Sequence, residues 1–204
     1  MIRLPLPVGV MPRDVASSSS PPIFTCGVHD HLIAARAAQS HSVLLTNGCF
    51  DLLHVGHVLS IEYAIARLRL ERNSNSSHHV VVAVNSDSSV RELKGPDRPV
   101  LSQEHRAFML SRLACVNTVV VFDTEAQLEW LISVFRPRIL FKGSDWEGEA
   151  ITGGELVSRL GGSVLFTPSF DVESTSDLIN RLRDKPTQPT TMGVSEMQRL
   201  IREL

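Results

Sequence analysis

Five short aliphatic runs recur along the chain: SVLLTN (42–47), VVVAVN (80–85), NTVVVF (117–122), RILFKG (138–143) and SVLFTP (163–168). Each is apolar at successive positions, not alternate ones, so neither face of such a strand can look at water. Between and after them lie stretches with apolar residues on a helical period, at 56–72, 102–115, 124–135, 153–161 and 174–183. Ser102 with Glu104 and His105 makes an imperfect capping box for one of these helices, and Pro137 ends another. Strands buried on both faces and separated by helices predict an α/β fold: a five-stranded parallel sheet with helices on both sides.

The rest of the chain sorts around that core. Residues 1–28 begin Pro- and Ser-rich and read as a flexible arm, and 29–184 as one domain whose first element is a short helix over 29–40 with Asp30 as N-cap. Residues 185–204 read as a hinge and a helical tail, with Met197, Leu200, Ile201 and Leu204 on one face to pack on the domain or on another subunit. Twenty basic against 22 acidic side chains, a net charge of -2, give no argument for a nucleic-acid partner. No run reaches membrane-spanning length. Cys26, Cys49 and Cys115 are isolated, which argues against a disulfide framework or a cysteine metal site and favours a cytoplasmic protein.

In a parallel sheet, ligands bind beyond the carboxyl ends of the strands. Those ends carry Thr46, Asn47, Gly48, Cys49, Phe50 and Asp51; Asn85, Ser86 and Asp87; Phe122 and Asp123; Lys142, Gly143, Ser144 and Asp145; Pro168 and Ser169. His54 and His57 flank Gly56 where the first strand gives way to a helix. Free amides at a helix start hold anions, two imidazoles add donors, and glycine lets the backbone approach. That makes a phosphate site the working expectation, against two ordinary surface histidines. The spacing is unlike a zinc motif. TNGCFD lacks the dinucleotide fingerprint, and neither a phosphate-loop motif nor a nucleophile elbow occurs.

GCFDLLHVGH (48–57) resembles the signature of the nucleotidyltransferase superfamily, which includes cytidylyltransferases, pantetheine-phosphate adenylyltransferases and class I aminoacyl-tRNA synthetases. With VAVNSDSSVRELKGPDRPV, ILFKGSDW and ESTSDLINRLR, residues 30–183 resemble more narrowly the adenylyltransferases that make ADP-activated heptose. The resemblance implies a Rossmann-like sheet in 3-2-1-4-5 order and transfer of an adenylyl group from ATP to D-glycero-β-D-manno-heptose 1-phosphate, with Mg2+ as the nucleotide's counter-ion. It also implies a homodimer or larger homo-oligomer. In many bacteria the activity is fused to a sugar kinase; the expectation here is a stand-alone transferase. Two alternatives remain: a cytidylyltransferase for glycerol 3-phosphate or a related alcohol phosphate, and a nucleotide-binding regulatory protein without turnover.

On that resemblance His54, His57 and Lys142 are the catalytic candidates. Thr46, Asn47, Gly48, Cys49, Phe50, Gly56, Lys94, Gly143, Ser174, Thr175 and Ser176 are candidates for holding nucleotide and phosphates. Asp51, Asp87 and Arg98 are candidates for the sugar phosphate, and Asp51 also for a contact associated with Mg2+. Several have plainer readings: Asp51 as an acceptor pinning a turn, Asp87 as a helix cap, Lys94 as a solvated loop lysine, Ser174 to Ser176 as an N-cap, and Arg106 as a solvent-face charge. The adenine is expected near Phe141 to Ser144. Where the family usually reads KGGDY this chain has KGSDW (142–146), with Trp146 keeping an aromatic platform.

Overall fold

The computed structural model describes residues 23–25, 35, 38, 41–72, 77–170, 172 and 174–183. Six strands, β1 (Ile23–Thr25), β2 (Ser42–Gly48), β3 (His78–Asn85), β4 (Thr118–Phe122), β5 (Ile139–Gly143) and β6 (Ser163–Thr167), form one sheet. Its order is β1-β4-β3-β2-β5-β6 and every pairing is parallel. The last five strands are therefore the expected five-stranded sheet in 3-2-1-4-5 order. The sixth strand, β1, comes from the segment read as an arm and pairs Ile23–Thr25 with Thr118–Val120; three residues are too few to show a period. The tail 185–204 lies outside the described residues.

Six helices complete the described fold: α1 (Val55–Arg72), α2 (Asp87–Lys94), α3 (Gln103–Leu110), α4 (Glu125–Phe135), α5 (Gly154–Arg159) and α6 (Thr175–Arg183). Of the helix expected over 29–40, Ala35 and Ala38 are described, and both are helical and buried. α3 stops at Leu110 and gives way to turns, short of the expected 115. α2 was foreshadowed only by the reading of Asp87 as a helix cap. Ser86 caps it by accepting from the Ser89 N–H at 3.0 Å. α4 ends because Arg136 turns left-handed (φ 47°) ahead of Pro137, which has no N–H to continue the helix.

Alternating side chains of the strands divide between two apolar layers. On one face Leu45, Val81, Ala83, Val120 and Leu140 pack with Leu128, Leu131, Ile132 and Phe135 of α4 and Val157 of α5. On the other Leu44, Val80, Val82, Val84, Val119, Ile139 and Phe141 pack with Ile61, Ala64, Ile65 and Leu68 of α1 and Ala107 and Leu110 of α3. Each fully buried aliphatic side chain contributes about 1.5–3 kcal/mol relative to exposure, so the sheet is a rigid platform. Because every strand runs the same way, the carboxyl ends of β2, β3, β4, β5 and β6 share one edge.

Candidate active site

The turn leaving β2 shapes that edge. Phe50 has a left-handed backbone (φ 48°), uncommon for an aromatic residue. Its ring folds back over Gly48, where a Cβ would stand 3.3 Å from the ring, and meets the His57 ring with centroids 5.1 Å apart. Phe50 is 8% exposed, so burial offsets the strained turn and buttresses His57.

His54 and His57 lie face to face, their ring centroids 3.8 Å apart and 34° from coplanar. The His54 N–H donates to His57 Nδ1 at 3.3 Å, and the His57 N–H to the His54 carbonyl at 3.1 Å. Nδ1 of His57 is thus an acceptor, and the proton of the neutral ring belongs on Nε2. Burial, aided by His54, pushes the His57 pKa down to about 3; burial also lowers that of His54, against a smaller opposing pull from Asp177. Gly56 sits against this pair, since a Cβ there would lie 3.0 Å from His54 Cε1 and from Val172 Cγ2. His54 Nδ1 and, at the end of β2, Asn47 Oδ1 are buried polar atoms with no partner among the described residues. Such groups cost free energy unless something else bonds them.

Lys142, in β5, is 7% exposed. Its Nζ donates to the Asn47 carbonyl at 3.3 Å and lies 4.5 Å from the centre of the Trp146 ring. Burial pushes its pKa down to about 8, opposed by Asp145 and the Cys49 thiol. Thr46 is buried in β2 and Cys49 is a half-buried free thiol. Phe141 is 1% exposed and its ring belongs to the core.

Arg106 overturns the reading of a solvent-face charge. It has no exposed surface. Its guanidinium donates to the Leu101 carbonyl at 3.0 Å, the Asn85 carbonyl at 2.8 Å, Asp87 Oδ1 at 2.7 Å and the Cys49 carbonyl. One side chain thereby ties the ends of β2 and β3, the start of α2 and the loop before α3. Asp51, 1% exposed, does the same from the other side. Its carboxylate accepts from Arg98 Nε at 2.5 Å and from the Val100 and Leu101 N–H groups at 2.8 and 3.0 Å. These bonds hold its pKa below the usual carboxylate range although burial works the other way. Of the two roles considered for Asp51, the geometry favours the acceptor that pins a turn. Arg98 is its partner, and Asp87 is partner to Arg106, not the cap of α2.

At α6, Ser174 and Asp177 cap reciprocally. The Ser174 N–H donates to Asp177 Oδ2 at 2.9 Å and the Asp177 N–H to Ser174 Oγ at 3.3 Å. Thr175 Oγ1 donates to the Leu52 carbonyl at 3.4 Å, bringing this helix start beside the turn that carries His54. Ser176 is exposed, as is Lys94 at the end of α2. Gly143 leads into the 3₁₀ turn Ser144–Trp146. The structure thus brings together His54, His57, Gly56, Phe50, Asn47, Lys142 and the start of α6, with the Asp51–Arg98 and Asp87–Arg106 pairs as its fastening. No group of three His, Cys, Asp or Glu fit to hold a metal occurs among the described residues. No described helix is long and apolar enough to cross a membrane.

Comparison with known proteins agrees in position. A family model described as cytidylyltransferase-like matches residues 45–159. The bifunctional protein HldE of Syntrophotalea carbinolica is 44% identical over 157 residues, 77% of this chain and 30% of that protein. Its namesake in Geobacter sulfurreducens is 42% identical over 151 residues, 74% of this chain and 29% of that protein. The chain thus spans about 30% of the length of the curated relatives it matches.

Proposed function

Since the chain belongs to the cytidylyltransferase-like family of nucleotidyltransferases, we propose that it transfers an adenylyl group from ATP to D-glycero-β-D-manno-heptose 1-phosphate, giving ADP-heptose and pyrophosphate. The observation that carries nucleotide binding is the stacked pair His54 and His57, with buried polar atoms on His54 and Asn47, unpartnered among the described residues, at the carboxyl edge of the sheet. The choice of heptose phosphate and ATP is supported by the blocks VNSDSSVRELKGPDRPV and FKGSDW and by the likeness to the HldE proteins.

In the reaction a phosphate oxygen of the sugar attacks the α-phosphorus in line. The bond from that phosphorus to the β-phosphate bridging oxygen breaks, and pyrophosphate leaves with the electron pair. The attacking oxygen is already ionised, so no general base is required, and catalysis rests on positioning and on meeting charge as it develops. His57 donates its Nε2–H to a phosphate oxygen as a neutral ring. Lys142 supplies the nearby positive charge. The first amides of α6 and the Ser176 hydroxyl add donors for the triphosphate. Mg2+ would come with the nucleotide, held by few protein ligands, and would neutralise charge developing on the phosphates. The assembly that suits this reading is a homodimer.

The test is a pyrophosphate-release assay crossing ATP and CTP with the heptose 1-phosphate and glycerol 3-phosphate. Turnover of ATP with the heptose phosphate is expected. Preferential turnover of CTP with glycerol 3-phosphate would replace this reading by that of an alcohol-phosphate cytidylyltransferase.

A further inference from the structure

We propose that Trp146 is a positioning residue for Lys142, its indole face holding the ammonium at the edge of the cleft so that an anionic ligand meets a cation already in place. The inference rests on the reading of Lys142 as a phosphate ligand.

Lys142 leaves the sheet with nine-tenths of its surface covered, yet the described acceptor for its ammonium is a single carbonyl, that of Asn47 at 3.3 Å. An ammonium has three donors. The indole of Trp146 takes another side of it, 4.5 Å from ring centre to Nζ. Of the aromatic rings, indole attracts a cation most strongly, and more so away from water. The chain is built to bring that ring back. Gly143 separates the lysine from the 3₁₀ turn, and a Cβ on Gly143 would collide with Asp145 Oδ1. With glycine at 143 the Asp145 carboxylate can keep its place close to the main chain of the turn. Trp146 itself remains 42% exposed, high for an indole whose purpose is core packing. A second carboxylate, beside that of Asp145, in the place of the ring would neutralise Lys142 further and compete with a phosphate. An aromatic face holds the ammonium without neutralising it.

The groups that face Lys142 are Asp145 on the same turn, Cys49 at the end of β2 and the ring itself. The ring favours the charged lysine, so removing it lowers the pH at which the proton is lost. W146L is expected to reduce kcat/KM for ATP roughly tenfold and move the alkaline limb of its pH profile down by about half a unit. W146F is expected to stay within about threefold, and both variants to melt near the parent temperature.

A second readout needs no sugar substrate. Trp130 and Trp146 are the two tryptophans of the chain, so W130F leaves one indole to report. Its emission is expected to titrate with a midpoint near pH 8, and to lose that titration when K142M is added. K142M with unchanged kcat/KM overturns both the role of Lys142 and this inference. If K142M loses turnover while W146L keeps normal kinetics and pH profile, the role of Lys142 stands and the inference falls. Emission that titrates equally with and without Lys142 also overturns it.

Discussion

The main-chain N–H of His54 bonds Nδ1 of His57, so the backbone that joins the two histidines also decides which ring nitrogen of the second is a donor. With burial holding the His57 pKa near 3, the ring acts as a neutral donor across the range in which proteins are assayed. H57A is expected to lose about 100-fold or more in kcat, about 3 kcal/mol of transition-state stabilisation. The parent kcat should vary little between pH 5 and 6.5 on account of this ring, whereas an imidazolium donor would lose activity as pH rises through 6.5. Steady-state pyrophosphate release on both proteins checks each point.

Gly56 gives a sharper handle on the same pair. The methyl of G56A would press on His54 Cε1 and Val172 Cγ2 at 3.0 Å, and the ring must give way. A displacement well under an ångström is expected to cost roughly tenfold in kcat/KM, with the thermal midpoint lowered by only a few degrees. Unchanged kinetics would show that the exact seat of His54 is immaterial.

Arg106 predicts a stability effect. R106M fills much of the same volume but leaves the Asp87 carboxylate and the carbonyls of Cys49, Asn85 and Leu101 without their donor. Removing one partner of a buried ion pair costs about 3–5 kcal/mol, and urea unfolding should show a loss of that order. Because Asp87 is partly exposed and can turn to water, the lower figure is expected. R106K, with a charge but no planar fork, should recover only part of it.

His79 predicts acid sensitivity. It is 1% exposed in β3, and its Nε2 lies 2.8 Å from Thr118 Oγ1. Burial first, then the neighbouring His41 and His78, pushes its pKa down from 6.5 to about 4. The unfolded chain therefore binds more protons between pH 6.5 and 4. Stability is complete above that window and falls through it, by about 3 kcal/mol for this residue. H79Q keeps a partner for Thr118 and cannot be protonated. Urea unfolding at pH 7 and pH 4.5 should differ by about 2–3 kcal/mol less in H79Q than in the parent.

The strands were legible because runs such as VVVAV and VVVF are apolar at every position, and only a strand covered on both faces needs that. α2 was barely so, because DSSVRELK buries little beyond Ser89 and Val90; the sequence marked its start by a cap residue, read as Asp87 where the cap is Ser86. The histidine pair, Gly56 and Lys142 were visible as polar residues at strand ends. Arg106 was not, because three of its four partners are main-chain carbonyls, which carry no mark in a sequence. Asp51 was visible, but its role turns on the N–H groups of Val100 and Leu101, some fifty positions away.

The three residues of β1 alter what the sheet presents to other molecules. TVVVF in β4 is a short, uncharged, valine-rich strand, the composition that recruits foreign strands when its outer hydrogen bonds are open. Because Ile23–Thr25 lies along Thr118–Val120, that stretch is interior to the sheet. A shortened version of the protein designed from the motif blocks alone, beginning near residue 30, would keep every histidine and lysine of the site and uncover this edge. Its solubility on storage, not its chemistry, is where the lost strand would be felt.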